Sequence, residues 1–311
     1  MSKETVHRLI ENVERVILGK RSIIELSVVA LLSEGHVLLE DVPGVGKTAL
    51  VKALSKSIDA SFSRIQFTPD LLPADITGVS IYHPEHRTFQ FEEGPIFGGV
   101  VLADELNRAS PKTQSALLES MEERSLTLDG QTYPLPSPFF VMATQNPIEH
   151  QGTFPLPEAQ LDRFLFQLTI GYPTAAEEAK LILEEDKRAE APIEAVCTVE
   201  DVLDMQKEVR HVHLSPEIAH YIVALVRGTR EHDAIELGMS PRSTMSYARA
   251  AQAYAYVQGR SFVTPDDVQF LFHYVAAHRL LLYRDALYNG MTASSVIEQV
   301  RQSTPVPVDK R

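Results

Sequence analysis

Residues 36–48 read HVLLEDVPGVGKT, a short apolar run followed by a turn rich in glycine and proline that ends in Lys47 and Thr48. The run predicts a buried strand at 36–40, and the apolar spacing after the turn predicts a helix at 47–58. A glycine-rich turn between a strand and a helix directs backbone N–H groups at anions, because the amide dipoles at a helix start favour negative charge. The sequence therefore predicts a phosphate-binding loop. Its cradle consists of Gly44, Val45, Gly46, Lys47, Thr48 and Ala49.

One position departs from the strict loop pattern GxxxxGK[ST], which has glycine where this chain has Asp41. The remaining PGVGKT keeps the glycines that allow close backbone approach. In such loops the lysine, here Lys47, reaches the β- and γ-phosphates, and the hydroxyl at Thr48 binds Mg²⁺. The alternative is an ordinary glycine-containing turn followed by a lysine. The predicted strand before the loop and the helix after it favour phosphate binding.

A second landmark is the stretch GGVVLADELNRA at residues 98–109. Its apolar strand, 100–103, delivers Asp104 and Glu105 at the carboxyl end, where open α/β sheets bind ligands. One carboxylate there can hold hydrated Mg²⁺, and its neighbour can orient or deprotonate water. The alternative is an acidic pair at the start of the helix that Pro111 opens. In a chain that also carries a phosphate-binding loop, the metal and water roles are favoured.

Three further polar residues stand at the ends of predicted elements. The strand PFFVMATQN ends in Asn146, again at a carboxyl end. Arg163 lies between a short helix and a strand in EAQLDRFLFQLTI, where the alternative role is a surface ion pair with Asp162. Arg242 begins a helix in MSPRST, although a cation stabilises the other end of a helix better. This placement suggests that Arg242 reaches toward an external phosphate.

The pattern of elements divides the chain into two parts. Residues 1–171 alternate strands and helices, which predicts an α/β fold with helices on both faces of a parallel sheet. Within this part, 68–78 is predicted to be a loop, 79–97 an excursion of short β-like pieces, and 124–138 a hairpin. Residues 172–311 predict a smaller all-helical domain. Its predicted helices lie near 174–190, 199–210, 215–230, 241–258 and 265–280.

The composition of the 311 residues is that of an ordinary globular protein, with 44% hydrophobic and 23% charged residues. A net charge of −13 disfavours a chain whose main task is to grip nucleic acid. A single cysteine, Cys197, excludes an internal disulfide and suits a reducing compartment. The charged N-terminus lacks a signal peptide's apolar segment, and no apolar run is long enough to span a membrane. These features predict a cytoplasmic, soluble protein.

The succession PGVGKT, VVLADELNRA, ATQNP, LDRF and SPRS resembles the motifs of AAA+ ATPases. The stretches RIQFTPDLLPADITG, GPIF and NRASPKTQSALLESMEE are similar to the MoxR family in particular. The resemblance runs from about Val16 to the end of the helical domain. It implies a P-loop αβα core of the AAA+ type followed by a helical lid, with ATP and Mg²⁺ as ligands.

The resemblance also implies a role for the residues at matching positions. Residues 41–48 correspond to the Walker A motif. Asp104 and Glu105 correspond to the Walker B motif, as the Mg²⁺ partner and the base that activates water. The remaining correspondences are Asn146 to sensor 1, which positions the attacking water, Arg163 to an arginine finger that acts on a neighbouring subunit, and Arg242 to sensor 2.

Similar proteins form a homo-oligomeric ring, with six subunits as the expected number here. The stretches 79–97 and 124–138 resemble the helix-2 insert and the pre-sensor-1 hairpin, which face the pore of such rings. The resemblance implies chaperone-like remodelling or activation of a protein complex, usually with a partner that carries a von Willebrand factor A domain. The alternative is a ring that acts on nucleic acid as a helicase-like motor or transcription activator, which the acidic balance disfavours. Salt-sensitive stimulation of ATP hydrolysis by single- or double-stranded DNA would favour that alternative.

Overall fold

The computed structural model describes residues 2–85, 87–147, 152–183 and 193–307. Its strands are β1 (Val37–Glu40), β2 (Phe62–Gln66), β3 (Gly78–His83), β4 (Thr88–Glu93), β5 (Val100–Asp104), β6 (Ser125–Leu128), β7 (Gln131–Pro134), β8 (Phe140–Gln145), β9 (Phe166–Leu168), β10 (Ile235–Leu237) and β11 (Leu281–Leu282). The central sheet has five strands in the order β2-β5-β8-β1-β9, and all of its neighbouring pairs are parallel. The predicted parallel sheet is confirmed.

The helices are α1 (Ser2–Glu14), α2 (Arg21–Leu32), α3 (Lys47–Ser57), α4 (Pro73–Thr77), α5 (Pro111–Glu123), α6 (Glu158–Leu161), α7 (Ala175–Leu183), α8 (Val199–Arg210), α9 (Pro216–Glu231), α10 (Pro241–Val257), α11 (Pro265–Ala276), α12 (Arg284–Tyr288) and α13 (Ala293–Ser303). Alternate residues of the sheet point into two apolar cores. Val37 and Val100 pack with residues of α1, α2 and α3. Leu38 and Val101 pack with residues of α4 and α5. Helices thus cover both faces of the sheet, and this is why its strands are apolar on both sides.

The prediction of a loop over 68–78 is wrong in its second half, which forms α4 and the start of β3. Pro73 stands at the first helical position, where its missing N–H is not needed. Asp75 Oδ2 accepts a hydrogen bond from the backbone N–H of Leu72 at 2.8 Å, and Ile76 is fully buried. A helix this short shows no helical period in a sequence, so only its capping residues could have indicated it.

Two antiparallel hairpins, β3–β4 and β6–β7, accompany the central sheet. The second forms within the segment 124–138, where a hairpin is predicted. Its turn residues Asp129 and Gly130 both have positive φ, as a two-residue hairpin turn requires. The ring of Phe91 in the first hairpin lies 4.3 Å, between centroids, from the ring of Tyr133 in the second. The two hairpins therefore contact each other through aromatic side chains.

The C-terminal helices pack against α2 of the core. One apolar cluster includes residues of α2, α8, α9, α10 and α11, so the two parts share buried surface. Gln206 of α8 also donates a hydrogen bond from Nε2 to Leu31 O of α2 at 2.8 Å. In the part of the chain that the structure describes, no helix combines the length and the apolarity needed to cross a membrane.

The five helices predicted after residue 172 correspond to α7–α11, with adjustments to two of them, while α12 and α13 were not predicted. The helix predicted at 174–190 begins as α7, and its predicted end lies outside the described residues. The helix predicted at 265–280 ends at Ala276 and continues as a 3₁₀ turn. A two-stranded antiparallel sheet of β10 and β11, which the sequence did not predict, lies among these helices.

Candidate functional site

The phosphate-binding loop connects the carboxyl end of β1 to the start of α3. Gly44 and Gly46 have φ of +86° and +95°, a left-handed backbone that residues with a Cβ rarely adopt. Gly46 is also the N-cap of α3, which begins at Lys47. The first backbone N–H groups of α3 have no carbonyl partner within the helix. They therefore provide an anion-binding position at the carboxyl edge of the sheet.

Lys47 is the cation of this loop. Its Nζ donates to Asp41 O at 2.7 Å and to Val42 O at 3.2 Å. Partial burial lowers the pKa of Lys47, and the negative charges of Asp41, Asp104 and Glu105 oppose that shift. The interaction with Asp104 and Glu105 shows that Lys47 lies within the electrostatic field of the acidic pair. The two sequence landmarks thus meet in space.

The acidic pair lies at the end of β5 and is fixed by a threonine of the neighbouring strand β8. Thr144 Oγ1 donates to Asp104 Oδ1 at 2.7 Å. The same hydroxyl accepts a hydrogen bond from Glu105 N at 2.9 Å. Glu105 has φ of +58°, which is strained for a residue with a side chain. Strain of this kind persists only where neighbouring groups hold the backbone, and Thr144 is one of them.

Side chains of β2 contact the acidic pair from the adjacent strand. Arg64 Nη2 lies 2.6 Å from Asp104 Oδ2. Gln66 Nε2 donates to Glu105 Oε2 at 2.9 Å, and Arg108 Nη1 lies 2.9 Å from the same oxygen. Sequence reasoning missed Arg64 and Gln66. The signal was present in RIQF, where two polar residues stand two apart on a strand, because such residues share one face.

Asn146 follows β8 at the same edge of the sheet. It is 9% exposed, and its backbone oxygen accepts a hydrogen bond from Asn107 Nδ2 at 3.4 Å. The carboxyl edge of the sheet therefore gathers most of the residues singled out in the sequence. They are the loop residues Gly44 to Ala49, the acidic pair Asp104 and Glu105, and Asn146.

Arg163 lies at the opposite, amino edge of the sheet. It comes before β9, whose first residue Phe166 pairs with Val37, the first residue of β1. The phosphate-binding loop comes after β1, and a strand of 4 residues spans ~13 Å. The length of the sheet therefore separates Arg163 from the phosphate-binding loop of its own chain.

Arg242 is held at the same edge, because one carboxylate binds both arginines. Arg163 Nε donates to Glu122 Oε2 at 2.8 Å, and Arg242 Nη2 donates to Glu122 Oε1. The hydrogen bond from Arg242 lowers the pKa of Glu122. Glu122 stands near the end of α5, and no pattern in the sequence marks it as a site residue. Neither arginine lies beside the phosphate-binding loop of the same chain.

The two arginines line a cavity of about 490 Å³ between the core and the C-terminal helices. On another wall Glu34 binds Arg124, at 2.5 Å between Oε2 and Nη1, and pairs with two further arginines. The arginines of the lining are Arg124, Arg163, Arg210, Arg242, Arg249 and Arg279, and its acidic residues are Glu34, Glu122 and Asp162. Guanidinium groups thus outnumber carboxylates here, on a chain whose net charge is −13.

The alternative pairing of Arg163 with Asp162 is wrong. Asp162 Oδ1 accepts hydrogen bonds from Arg279 Nε at 2.8 Å and from Ser243 Oγ at 2.7 Å. Ser240 Oγ donates to Asp162 Oδ2 at 2.8 Å. Burial raises the pKa of Asp162, but the hydrogen bonds from Arg279 and Ser243 outweigh this effect and leave the pKa lowered. Asp162 therefore joins the core to the start of α10 and to the segment after α11.

Asp162→Ala is expected to lower the free energy of unfolding by about 3–5 kcal/mol. The side chain of Arg279 is only 3% exposed, so the substitution leaves a buried charge without its partner. Asp204→Ala is the matched control, because Asp204 pairs with Lys207 at 69% and 71% exposure, and an exposed pair contributes about 0–1 kcal/mol. Urea unfolding followed by circular dichroism measures both. Equal losses in the two variants would contradict the structural role of Asp162.

Comparison with known proteins defines the class of this chain. Residues 36–166 match the family described as the ATPase family associated with various cellular activities (AAA), and residues 227–300 match the AAA lid domain. A crystal structure of a candidate ATPase from Cytophaga hutchinsonii has a TM-score of 0.91 and 35% sequence identity, covering 99% of this chain and 96% of that one. With the αβα core and the helical part, these matches define an AAA+ ATPase.

Two curated relatives narrow the class to a family. The chain is 51% identical to the uncharacterized protein YeaC of Bacillus subtilis, over 99% of this chain and 98% of that protein. It is 43% identical to the chaperone MoxR1 of Mycobacterium tuberculosis, over 97% of this chain and 82% of that protein. The chain belongs to the MoxR family of AAA+ ATPases. The family resemblance and the ATPase activity that the motifs imply are thereby confirmed.

Proposed function

We propose that ATP is hydrolysed at the carboxyl edge of the sheet, with the roles divided as follows. Lys47 and the backbone N–H groups at the start of α3 bind the β- and γ-phosphates. Glu105 accepts a proton from the attacking water, and Asn146 orients that water. The contacts from Thr144 and Gln66 support this role, since they hold Glu105 in one position.

The donor set at this edge fits a hydrated Mg²⁺ ion, which prefers oxygen ligands and keeps several waters. The hydroxyl of Thr48 and the carboxylate of Asp104 would hold the metal. The electrostatic interaction of Asp104 with Lys47 supports this assignment, because it places the carboxylate close to the phosphate-binding lysine. When bound, Mg²⁺ neutralises charge on the phosphates.

The base of ATP is inferred to pack beside the phosphate-binding loop. A Cβ at Gly46 would lie 3.7 Å from Ile17 Cδ1, so the segment before α2 adjoins the loop. Lys20 Nζ in turn donates to Tyr172 O at 2.9 Å. The ring of Tyr172 is 70% exposed, so its surface is available to a ligand at this position. Ile17 and Tyr172 are the residues that this arrangement offers to a base, and sequence reasoning missed both.

The strongest support for a ring comes from the positions of Arg163 and Arg242. Both are bound to Glu122 at the amino edge, while the phosphate-binding loop lies at the carboxyl edge. Phosphoryl transfer needs positive charge around the γ-phosphate, and a single chain does not bring these arginines there. We propose that each arginine pair completes the ATP site of the next subunit. A head-to-tail contact of this kind forms a ring when its rotation closes, and we expect closure at six subunits.

ATP is expected to shift the protein from smaller species to a ring, and ADP to do so less. A ligand that binds at a junction stabilises the assembled form in proportion to its contacts with both subunits. ADP lacks the γ-phosphate that the neighbour's arginines would bind. Light scattering of the wild-type protein with ATP and Mg²⁺, with ADP and without nucleotide measures the mass. An unchanged monomeric mass at high protein and nucleotide concentrations would contradict the shared site.

The client of this ATPase is proposed to be a protein complex, which the ring remodels or activates. The relative named chaperone MoxR1 supports this role. The hairpin β3–β4 also exposes apolar side chains, with Phe89 at 73% and Tyr82 at 48% exposure. Exposed apolar surface of this kind marks an interaction site in many proteins. We propose that the two hairpins line the pore and contact the client.

A protein with a von Willebrand factor A domain is proposed as the partner, because the metal site of such a domain can bind a carboxylate on this acidic ring. The hydrolysis-deficient variant Glu105→Gln should hold the ring in its ATP state, so we expect it to enrich such a protein from the native cells. Lys47→Ala, which loses the phosphate-binding cation, is the matched control. Enrichment that is equal in both variants, or that brings only proteins without this domain, would refute the partner assignment.

A further inference from the structure

Asp41 is the one residue of the phosphate-binding loop that departs from the strict motif, and each of its three oxygens accepts a hydrogen bond. It is 6% exposed. Asp41 Oδ1 accepts a hydrogen bond from Val42 N at 2.9 Å, and Oδ2 accepts one from Gly171 N at 2.6 Å. The backbone oxygen accepts from Lys47 Nζ at 2.7 Å. One residue therefore contacts the lysine of the loop and a segment from the far end of the core sequence.

The partner of Asp41 is the chain segment that leaves the sheet after β9. Gly171 has φ of +68°, a left-handed backbone that turns the chain toward Tyr172 and then α7. On its other side this segment is held by Lys20, which donates to Tyr172 O at 2.9 Å. Residues 171–174 are thus fixed from two directions, and one of the two attachments comes from the phosphate-binding loop itself.

A purely local role for Asp41 does not account for its contacts. The bond from Val42 N to Oδ1 shapes the turn, as aspartate does in many loops. The bond from Gly171 N to Oδ2 joins positions that are 130 residues apart, and no turn requires it. Both carboxylate oxygens of Asp41 accept backbone N–H groups, so the side chain contacts backbone on each side. The long-range bond is the feature that remains to be explained.

We propose that Asp41 is a positioning residue that ties the phosphate-binding loop to residues 171–174. The phosphate cradle and the segment carrying Tyr172 then form one unit, and nucleotide that binds the cradle meets a base-side wall already in place. Glycine at position 41 would allow the loop to form but would remove the hydrogen bond from Gly171 N that holds the segment. This inference rests on the nucleotide site proposed above.

Asp41→Gly, which restores the strict motif, tests this assignment. Without nucleotide, we expect the amide of Gly171 to exchange its hydrogen about ten- to a hundredfold faster, because a bond to a charged acceptor is lost. ATP affinity, measured by isothermal titration, is expected to fall about tenfold, because binding must then order the segment. Asp41→Asn has one side-chain oxygen in place of two acceptors and should give intermediate values of both. Asp59→Gly is the matched control: it removes the same charge at an exposed position and should change neither.

The outcomes separate this inference from the nucleotide site itself. Wild-type ATP affinity in Asp41→Gly would overturn the positioning role. An affinity loss with unchanged exchange at Gly171 would overturn it as well, since Asp41 would then act only within the loop. The exchange measurement needs no nucleotide, so it reports on the tie between Asp41 and Gly171 even if the wild-type protein failed to bind ATP. Such a failure would instead refute the site.

Discussion

Glu105→Gln is expected to hydrolyse ATP about 10²–10⁴-fold more slowly than the wild-type protein. Its affinity for ATP should stay within about twofold, because the substitution removes nothing that binds the ground state. The amide has the shape of the carboxylate but cannot accept a proton from the attacking water. Its oxygen can still accept the hydrogen bonds that Gln66 and Arg108 donate to Glu105. The site should therefore keep its geometry and lose its base.

Isothermal titration with ATP and a phosphate-release assay measure the two effects separately. Glu119→Gln is the matched control, because Glu119 is exposed on α5 and its substitution removes the same charge. It should leave affinity and turnover within about twofold of wild type, as exposed substitutions usually do. Normal turnover in Glu105→Gln would remove Glu105 from the mechanism. A loss of ATP affinity in that variant would assign it to binding.

The parallel sheet was predictable because its strands are visible as runs in the chain. Val100–Asp104 is apolar up to the aspartate and is buried throughout. A strand covered by helices on both faces needs a continuous apolar run. Burial of both faces therefore accounts for the sequence pattern as well as for the fold. The pair β10–β11 was not predictable, because strands of 3 and 2 residues are too short for any period to appear.

The candidate site divides in the same way. Lys47, Asp104 and Glu105 belong to continuous motifs, and their chemistry requires those residue types in that order. Thr144 and Gln66 act through contacts between strands, which depend on which strands are neighbours and on their register. That information is not contained in the spacing of residues along one segment. For the same reason, spacing along the chain does not reveal that Asp162 pairs with Arg279 and not with its neighbour Arg163.

Glu122 is the clearest example of a contact that no local pattern reveals. It lies on α5 and binds Arg163, which precedes β9, together with Arg242 at the start of α10. Three elements must pack before this group exists. The start of a helix is an unfavourable place for an arginine, and this placement was the only physical signal at Arg242 apart from its resemblance to sensor 2. The ion pair with Glu122 offsets the unfavourable placement of Arg242 at a helix start.

Arg163→Ala is expected to bind ATP nearly as well as wild type and to hydrolyse it about 10³–10⁵-fold more slowly. The expectation follows from the shared site proposed above: Arg163 lies across the sheet from its own phosphate-binding loop, and in the proposed ring it would stabilise the transition state of the next subunit. Arg227→Ala is the matched control. Arg227 is 66% exposed and pairs with Glu231, so its loss should not change the rate.

Lys47→Ala has the complementary defect, since it keeps Arg163 but loses the phosphate-binding cation. Mixing Arg163→Ala with Lys47→Ala should therefore restore hydrolysis. In a head-to-tail ring built at random from equal amounts, about one quarter of the junctions join an intact pocket to an intact arginine. Phosphate release should rise toward that fraction of the wild-type rate and be greatest near equal amounts of the two variants.

Folding of each variant is verified first by circular dichroism, and co-assembly by recovery of untagged Lys47→Ala on affinity-tagged Arg163→Ala in the presence of ATP. Given mixed rings, a role of Arg163 within its own chain predicts no rescue at any ratio, because every subunit carries one defect in its own site. A structural Arg163–Glu122 pair predicts the same, accompanied by a lower unfolding midpoint in Arg163→Ala. Rescue with a maximum near equal amounts fits only an arginine that crosses a junction between subunits. The absence of rescue in verified mixed rings would contradict the proposal that the ATP site is shared between subunits.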